Sequence, residues 1–514
     1  MNSVKDMRTK RTFWSRLRTG RQIVQALTFA LYIYLLFAAL QRRAAFPLAD
    51  LFFRLDPLNA SAAMLASRAW IPQLAPALAT LVLTLVLGRV WCGWICPLGT
   101  LLDWVRFPAA VRRSLSISAR WRQVKTLLLI GTLVMALLGS LFLLLLDPLA
   151  ILTRTMTSAV LPVLNHTVTA FERTLYPLRF LRPLVDWLES VLRGSVLPVI
   201  QPVFAHSVLI GLFFTAIVGL NALADRFWCR YLCPLGALLG LLSKISILRP
   251  IIPAACSRCG HCVSACRVDA ISSGDGYRIE PAECIVCLDC LVACPESSIS
   301  FNPTLKASAS TAYDPGRREI LASVAASAAS LALLRVAPQT KQVHPHLMRP
   351  PGADDEAKFL SSCLRCSQCM KVCPTSGLQP VLFETGVEGM WTPNLVARLG
   401  YCDYGCNACG QVCPSGAIPA MALDEKRQAV LGEAVVDRNR CLPWAQGIPC
   451  IVCEEMCPIP EKAIRVENVP ITTDTGETIT LQRPYVLQDL CIGCGICEYQ
   501  CPMGGDAAIR VHHR

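Results

Sequence analysis

Residues 256–295 read CSRCGHCVSACRVDAISSGDGYRIEPAECIVCLDCLVACP, two runs of C-x2-C-x2-C-x3-C placed one after the other. Three thiolates spaced this closely wrap three corners of one 4Fe-4S cubane, while the fourth, pointing away after a turn, reaches the other cluster of the pair. The spacing therefore assigns Cys256, Cys259, Cys262 and Cys294 to one cluster and Cys284, Cys287, Cys290 and Cys266 to the other. Pro295 follows the last thiol as the pattern expects, whereas Arg267 stands where a proline would follow Cys266. A zinc ribbon needs two CxxC pairs set well apart and has no use for three successive thiols followed by Cys-Pro. The spacing also argues against a disulfide framework.

The same logic runs on toward the C-terminus. Cys363, Cys366, Cys369 and Cys373 precede Cys402, Cys406, Cys409 and Cys413. Crossing pairs Cys363, Cys366 and Cys369 with Cys413, and Cys402, Cys406 and Cys409 with Cys373. Likewise Cys441, Cys450 and Cys453 pair with Cys501, and Cys491, Cys494 and Cys497 with Cys457. Eight residues separate Cys441 from Cys450, the largest departure from the pattern. Nesting of the C-terminal pairs is the alternative to crossing. Six 4Fe-4S clusters on three α+β modules of the bacterial two-cluster ferredoxin kind are expected.

A chain of 514 residues has room for several such parts. It is 53% hydrophobic with 28 Cys and 35 Pro, and its mean hydropathy is +0.45. The two excesses separate: apolar runs precede Pro253, and 24 of the 28 Cys follow it. Segments 23–40, 74–91, 126–146 and 205–224 approach the roughly 20 apolar residues that cross a bilayer, which predicts a four-helix membrane bundle. The net charge of +13 sits beside these segments, at Lys5 to Arg21, Arg106 to Lys125 and Arg226 to Arg249. That is a positive-inside pattern, not a nucleic-acid footprint. It puts both ends of the bundle and the 92–125 loop in the cytoplasm, with 149–204 on the other side as short amphipathic helices at the interface.

WCGWICPLGTLL (residues 91–102) repeats as WCRYLCPLGALL (residues 228–239), so the bundle reads as two related halves. Spacing of four puts Cys92 with Cys96, and Cys229 with Cys233, on one face of a helix end. If the halves pack about a pseudo-twofold axis, the four thiols meet and hold another metal centre or form a redox-active pair. Four buried, inert thiols are the plain alternative. After a Ser-, Ala- and Pro-rich linker, GRREILASVAASAASLALLRVAP (residues 316–338) reads as a twin-arginine signal inside the chain, with an ordinary soluble helix as the alternative. An export signal would place residues from Lys341 onward outside the cytoplasm. The expected domains are 1–252 (membrane), 253–303 (ferredoxin), 304–340 (linker and signal-like helix), and 341–424 and 425–514 (ferredoxin-like). Without CxxCH or a GxGxxG fingerprint, neither covalent haem nor a nicotinamide or flavin site is expected. Electrons must then come from a partner or a quinol.

Residues 1–303 resemble the NapH/MauN-type membrane ferredoxins, through WCGWICPLG, WCRYLCPLG and the tetrads from Cys256 to Cys294. Residues 317–514 resemble the NapG/MauM-type exported polyferredoxins, through RREIL and the tetrads from Cys363 to Cys501. The resemblance implies a fused quinol dehydrogenase module of the bacterial cytoplasmic membrane, passing electrons from quinol to a periplasmic cytochrome or terminal reductase. Whether the fusion is cleaved near Ala337 stays open. Candidate quinone contacts are Trp91, Trp94, Arg89, Trp228 and Arg226, although Trp and Arg at such depths commonly anchor the interface. A different class of function is an assembly or redox-regulatory factor for a partner oxidoreductase. A third possibility reverses the electron flow.

Overall fold

The computed structural model describes residues 2–40, 48–105, 107, 119–195, 197–198, 200–253, 256–272, 277–303, 315–336, 347–472 and 478–513. These stretches hold all 28 cysteines. Most of the expected linker and Ala337 lie outside the described residues. The chain forms two compact units, one of residues 1–36, 51–153 and 209–332, the other of residues 37–50, 154–208 and 333–514.

In the first unit, helix α1 (Asn2–Leu40) contains no proline to interrupt it. Its Arg11–Leu40 portion reaches a mean hydropathy of 2.1 and is, among the described residues, the one helix long and apolar enough by itself to cross a membrane. The other three expected segments hold shorter apolar helices. Helices α2 (Ala77–Leu87), α3 (Gln123–Leu137) and α4 (Ser207–Gly219) have 11, 15 and 13 residues, about 16–22 Å at 1.5 Å per residue. Glycine is the reason in two cases: α2 stops at Gly88 (φ 76°) and the turn after α3 closes at Gly139 (φ 83°), backbone angles that end a helix and that glycine adopts at least cost. Single 3₁₀ turns at Pro72–Leu74, Phe142–Leu146 and Leu220–Ala222 continue the apolar segments.

The two repeated elements fold alike. Trp91–Ile95 and Trp228–Leu232 each make one wide π-helical turn. Cys96 and Cys233 then turn extended, and Pro97 and Pro234 open the helices Pro97–Trp104 and Pro234–Ser243. A Cys-Pro step does this because proline disfavours a helical residue before it while its own φ suits the first helical turn.

The first ferredoxin module pairs Leu248–Ile251 with Ser300–Pro303 and Ile271–Ser272 with Arg278–Ile279, both antiparallel. Its anchors to the helical part are Arg89 Nη1 to the Ala282 carbonyl (2.7 Å), Trp94 Nε1 to the Val286 carbonyl (3.0 Å) and Lys125 Nζ to the Glu283 carboxylate (2.6 Å). The signal-like stretch is helix α5 (Arg317–Val336), 20 residues long. It lies along α3: Ser323 Oγ donates to the Leu127 carbonyl at 3.1 Å, and a Cβ on Gly131 would stand 3.0 Å from Ser327 Oγ.

In the second unit, Leu161–Leu175 and Arg182–Ser195 are helices tied by the Arg193–Glu172 pair at 2.8 Å. They expose Phe171, Leu184 and Trp187. The two C-terminal modules contribute the antiparallel pairs Leu378–Pro380 with Pro393–Leu395, Glu433–Val436 with Ile509–His512, and the long hairpin Ile464–Thr472 with Thr478–Val486. They share one hydrophobic core, running from Met348 and Phe359 through Leu395 to Ile464, Ile509 and Val511, and joined by Phe204.

Candidate metal centres

Backbone shape singles out the cysteine loops. In four tetrads the residue before the second Cys and the residue after it are both left-handed: Arg258 and Gly260, Val286 and Leu288, Arg365 and Ser367, Gly493 and Gly495, with φ between 54° and 81°. Left-handed backbone costs a non-glycine residue about 1–2 kcal/mol. Such strain persists where the surroundings demand it. Alternating turns of this kind aim successive amides into one concavity, the arrangement that cradles iron–sulfur sites. A short helix then runs from near the third thiol to the fourth in each of these loops: His261–Ala265, Asp289–Ala293, Gln368–Val372 and Ile496–Gln500.

Which thiols neighbour one another follows from the sulfurs that, after burial, most oppose each other's ionisation. Burial pushes Cys262 up, and Cys256 and Cys294 add to it. Buried Cys290 is opposed by Cys284, Cys287 and Cys266. Buried Cys369 meets Cys366, Cys363 and Cys413, and buried Cys409 meets Cys402, Cys373 and Cys406. Cys453, raised by burial to about 12, is opposed by Cys441 and Cys450, and Cys501 acts on Cys441. Buried Cys497 meets Cys494 and Cys491, with Cys457 acting on Cys494. Five of the six neighbourhoods draw three thiols from one tetrad and one from its partner; in the first, Cys256 and Cys262 are joined by Cys294. The sets are named below by their first cysteine. The Cys441 set lines a cavity whose other walls, Val436, Leu442, Val452, Pro484 and Ile509 among them, are apolar. Among the described residues no three Cys, His, Asp or Glu converge to chelate a single ion. The thiol sets, three from one short loop and one from its partner, suit a cubane, which holds its thiolates at separate corners.

Cys92, Cys96, Cys229 and Cys233 form a further cluster of buried thiols. Burial raises Cys229 to about 11, and Cys92 adds to the shift. Cys96 is raised by burial, then by Cys229 and Cys92. The two halves exchange arginines across it. Arg226 donates to the Cys92 carbonyl at 2.7 Å and forks onto Asp103 at 2.7 Å. Arg89 Nη2 lies 2.9 Å from where a Cβ on Gly236 would sit. Gly93, between the first two thiols, admits the Ile285 carbonyl so closely that a Cβ would stand 2.0 Å from it. The thiol cluster therefore touches the loop of the Cys284 set. Arg89, Arg226 and Trp94 thus have protein partners, while the buried Trp91 and Trp228 keep indole N–H groups without one. Trp94 is half-buried and retains an exposed edge.

Sequence reasoning missed a buried carboxylate pair in the first unit. Asp56 Oδ1 accepts from the Leu58 and Asn59 amides at 2.8 and 3.1 Å, and Asp147 Oδ2 from the Leu149 and Ala150 amides at 2.9 Å. Each caps a helix start. The other oxygens, Asp56 Oδ2 and Asp147 Oδ1, are buried with no donor. Burial and the neighbouring Asp147 charge push Asp56 well up, as two carboxylates side by side out of water oppose each other's ionisation. The signal was a second repeat, Asp56-Pro57-Leu58 and Asp147-Pro148-Leu149.

Known proteins enter at this point. A 4Fe-4S binding domain family matches residues 71–117 and 206–253, which contain the repeated elements. A 4Fe-4S dicluster domain matches 362–418, and another 4Fe-4S binding domain matches 484–505. The chain is 37% identical over 206 residues to the methylamine utilization ferredoxin-type protein MauM of Methylorubrum extorquens, covering 38% of this chain and 89% of that protein. It is 38% identical over 193 residues to the ferredoxin-type protein NapG of Escherichia coli, covering 36% of this chain and 81% of NapG. With the ferredoxin-type protein NapF of Escherichia coli the identity is 28% over 167 residues, 32% of this chain and 86% of NapF. No solved structure matches. The thiol-lined loops, the 4Fe-4S domains and these relatives agree: the chain belongs to the MauM and NapG family of ferredoxin-type proteins and is an iron–sulfur electron-transfer protein.

Proposed function

We propose that this chain is a membrane-embedded conduit passing electrons from quinol through six 4Fe-4S clusters to a periplasmic redox partner, a cytochrome or a terminal reductase. The observation that carries the reading is the three-plus-one grouping of thiols found in each of the three modules, around Cys290, around Cys369, and in the cavity lined by Cys441, Cys450, Cys453 and Cys501. A bound cubane would carry one electron at a time, so thiol sets holding such clusters would take the two electrons of a quinol singly, its two protons leaving separately. No hydride cofactor is required.

The resemblance of residues 1–303 to the NapH/MauN type supports the membrane part. So do α1 and the shorter apolar helices Pro72–Leu87, Gln123–Leu137 and Ser207–Ala222. Helix α5, although only α1 is long and apolar enough to cross by itself, supports a retained crossing in place of a cleaved signal when packed on α3. Its 20 residues give about 30 Å, the thickness of the hydrocarbon core, and its serines meet Leu127 and Gly131 of α3 as small residues do between membrane helices. Residues beyond it would then lie outside the cytoplasm, with the first ferredoxin module inside. Trp94, at the edge of the thiol cluster and bonded to the Cys284-set loop, is the contact we assign to the quinone ring.

Anaerobic addition of a short-chain quinol to the purified, detergent-solubilised chain should bleach the cluster absorption and raise the magnetic resonance signals of reduced cubanes. Clusters that stay oxidised under quinol but pass iron to an apo-oxidoreductase would favour the assembly-factor reading instead.

A further inference from the structure

Of the six cysteines that end a tetrad, five are followed by proline and one, Cys266, by Arg267. The Arg267 side chain is 10% exposed and reaches two carboxylates: Nε donates to Asp289 Oδ2 at 2.5 Å, and Nη1 lies 3.5 Å from Asp103 Oδ1. Asp289 stands inside the other tetrad, between Cys287 and Cys290, and opens the short helix that carries Cys290. Asp103 lies on the helix Pro97–Trp104, directly after the first repeated Trp-Cys element. One side chain thus joins both tetrads of the first module to the helical part.

Two arginines of α1 close on the same loop. Arg21, buried, donates from Nη1 to the Cys287 carbonyl at 3.3 Å and holds Nη2 3.5 Å from Asp103 Oδ2. Arg18 Nε lies 2.7 Å from Asp289 Oδ1. With Arg226 forked onto Asp103, four guanidiniums share two carboxylates. All but Arg18 are buried, so water screens these charges weakly. A surplus of one sign away from water is costly unless an opposite charge faces it. A cubane on Cys284, Cys287, Cys290 and Cys266 supplies that charge, because its thiolates make it anionic and reduction adds one electron more. Asp289, next to Cys290, opposes that electron, whereas Arg267, Arg18 and Arg21 favour it.

We infer that Arg267, standing in the usual place of proline, raises the reduction potential of the Cys284-set cluster by offsetting Asp289 and leaving a cationic surplus against the loop. The inference rests on the reading that a cubane occupies this set, and its use, bringing the cluster within reach of a quinol, rests on the proposed conduit. Net charge around a cluster is one of the levers that set its potential. Arg267 makes and breaks no bond; it stabilises the cluster that has gained one electron over the cluster that has not. A clamp that only fastens the module to the helices accounts for the same contacts but leaves the potential indifferent to charge.

Anaerobic redox titration of the full, detergent-solubilised chain, followed by magnetic resonance, reads the midpoint of the Cys284-set cluster, identified as the signal that Cys287→Ser alters. Arg267→Gln should shift that midpoint down, so that the reduced-to-oxidised ratio at a fixed potential drops several-fold, and leave the other midpoints in place. Arg267→Lys keeps the charge and should hold the midpoint near its original value. Asp289→Asn should move it up, and Arg267→Gln combined with Asp289→Asn should bring it back toward the start. An unmoved midpoint in Arg267→Gln, or an equal drop in Arg267→Lys, would overturn the inference. Where Arg267→Gln loses the cluster, Asp289→Asn decides alone, and a midpoint that fails to rise overturns the inference too. Midpoints that shift as expected while quinol reduces no cluster in the unsubstituted chain would leave the tuning standing and sink the quinol reading, so the two failures are distinguishable.

Discussion

Val286 is β-branched and yet holds φ at 54°, a conformation in which such a residue is an outlier. Leu288, two residues on, is left-handed as well. Neither is a residue one would choose for such a turn from sequence, so the shape of the Cys284 loop was not legible even though its thiols were. What holds it is tertiary: the Val286 carbonyl accepts from Trp94, and Gly93 leaves room for the Ile285 carbonyl. Asp56 makes a second argument at this scale. An acid whose folded pKa is raised keeps its full contribution below the ordinary aspartate range, about 3.9, and loses it as pH climbs from there toward the raised value. Stability should therefore fall over that window. Asp56→Asn keeps a good cap and mimics the protonated partner, so it should flatten the slope at little cost. Asp56→Ala removes the cap and leaves Asp147 without its neighbouring carboxyl, a loss of about 2–3 kcal/mol. Thermal unfolding of the three proteins against pH checks this. A slope that survives in Asp56→Asn would place the proton elsewhere.

At the scale of elements, the repeated Trp-Cys segments were legible because a Cys-Pro step dictates both the extended residue and the helix after it. The lengths of the apolar helices were not. Hydropathy averages over Gly88 and Gly139, whereas the backbone ends or turns there. Helix α5 shows the opposite case, in which an export-like composition hides a packing role. Its serines meet Leu127 and Gly131, a relation that no periodicity within residues 317–336 reveals. Filling that contact should force the helices apart. Gly131→Leu inserts a branched side chain where Ser327 Oγ stands 3.0 Å from the would-be Cβ, and overpacking of this kind costs about 1–3 kcal/mol. The detergent-solubilised variant should unfold at lower temperature, and pairing it with Ser327→Gly should recover part of the loss. Equal destabilisation with and without the second change would show that α5 does not pack there.

For the whole molecule, spacing suggests which thiols come in threes, because three corners of a cubane would fall within one short loop. The fourth thiol arrives from the partner tetrad, and the contact between Cys402 and Cys494 arrives from a fold in which two modules share a core. Sequence spacing carries no record of that junction. The four thiols at Cys92, Cys96, Cys229 and Cys233 pose the same question one level up, since two halves far apart in the chain must bring them together. Two chemistries fit buried thiols in mutual reach, and iron counting separates them. Six cubanes bring about 24 irons, and a seventh centre of the same kind raises this to about 28. Because the 4Fe-4S binding domain match covers both repeated elements, the higher count is expected for protein prepared without oxygen. The double variant Cys96→Ala with Cys229→Ala should return it to about 24. If the unsubstituted chain already holds about 24, and oxidation removes two titratable thiols that the double variant lacks, the four sulfurs are a dithiol pair that stores electrons beside the Cys284 set without metal.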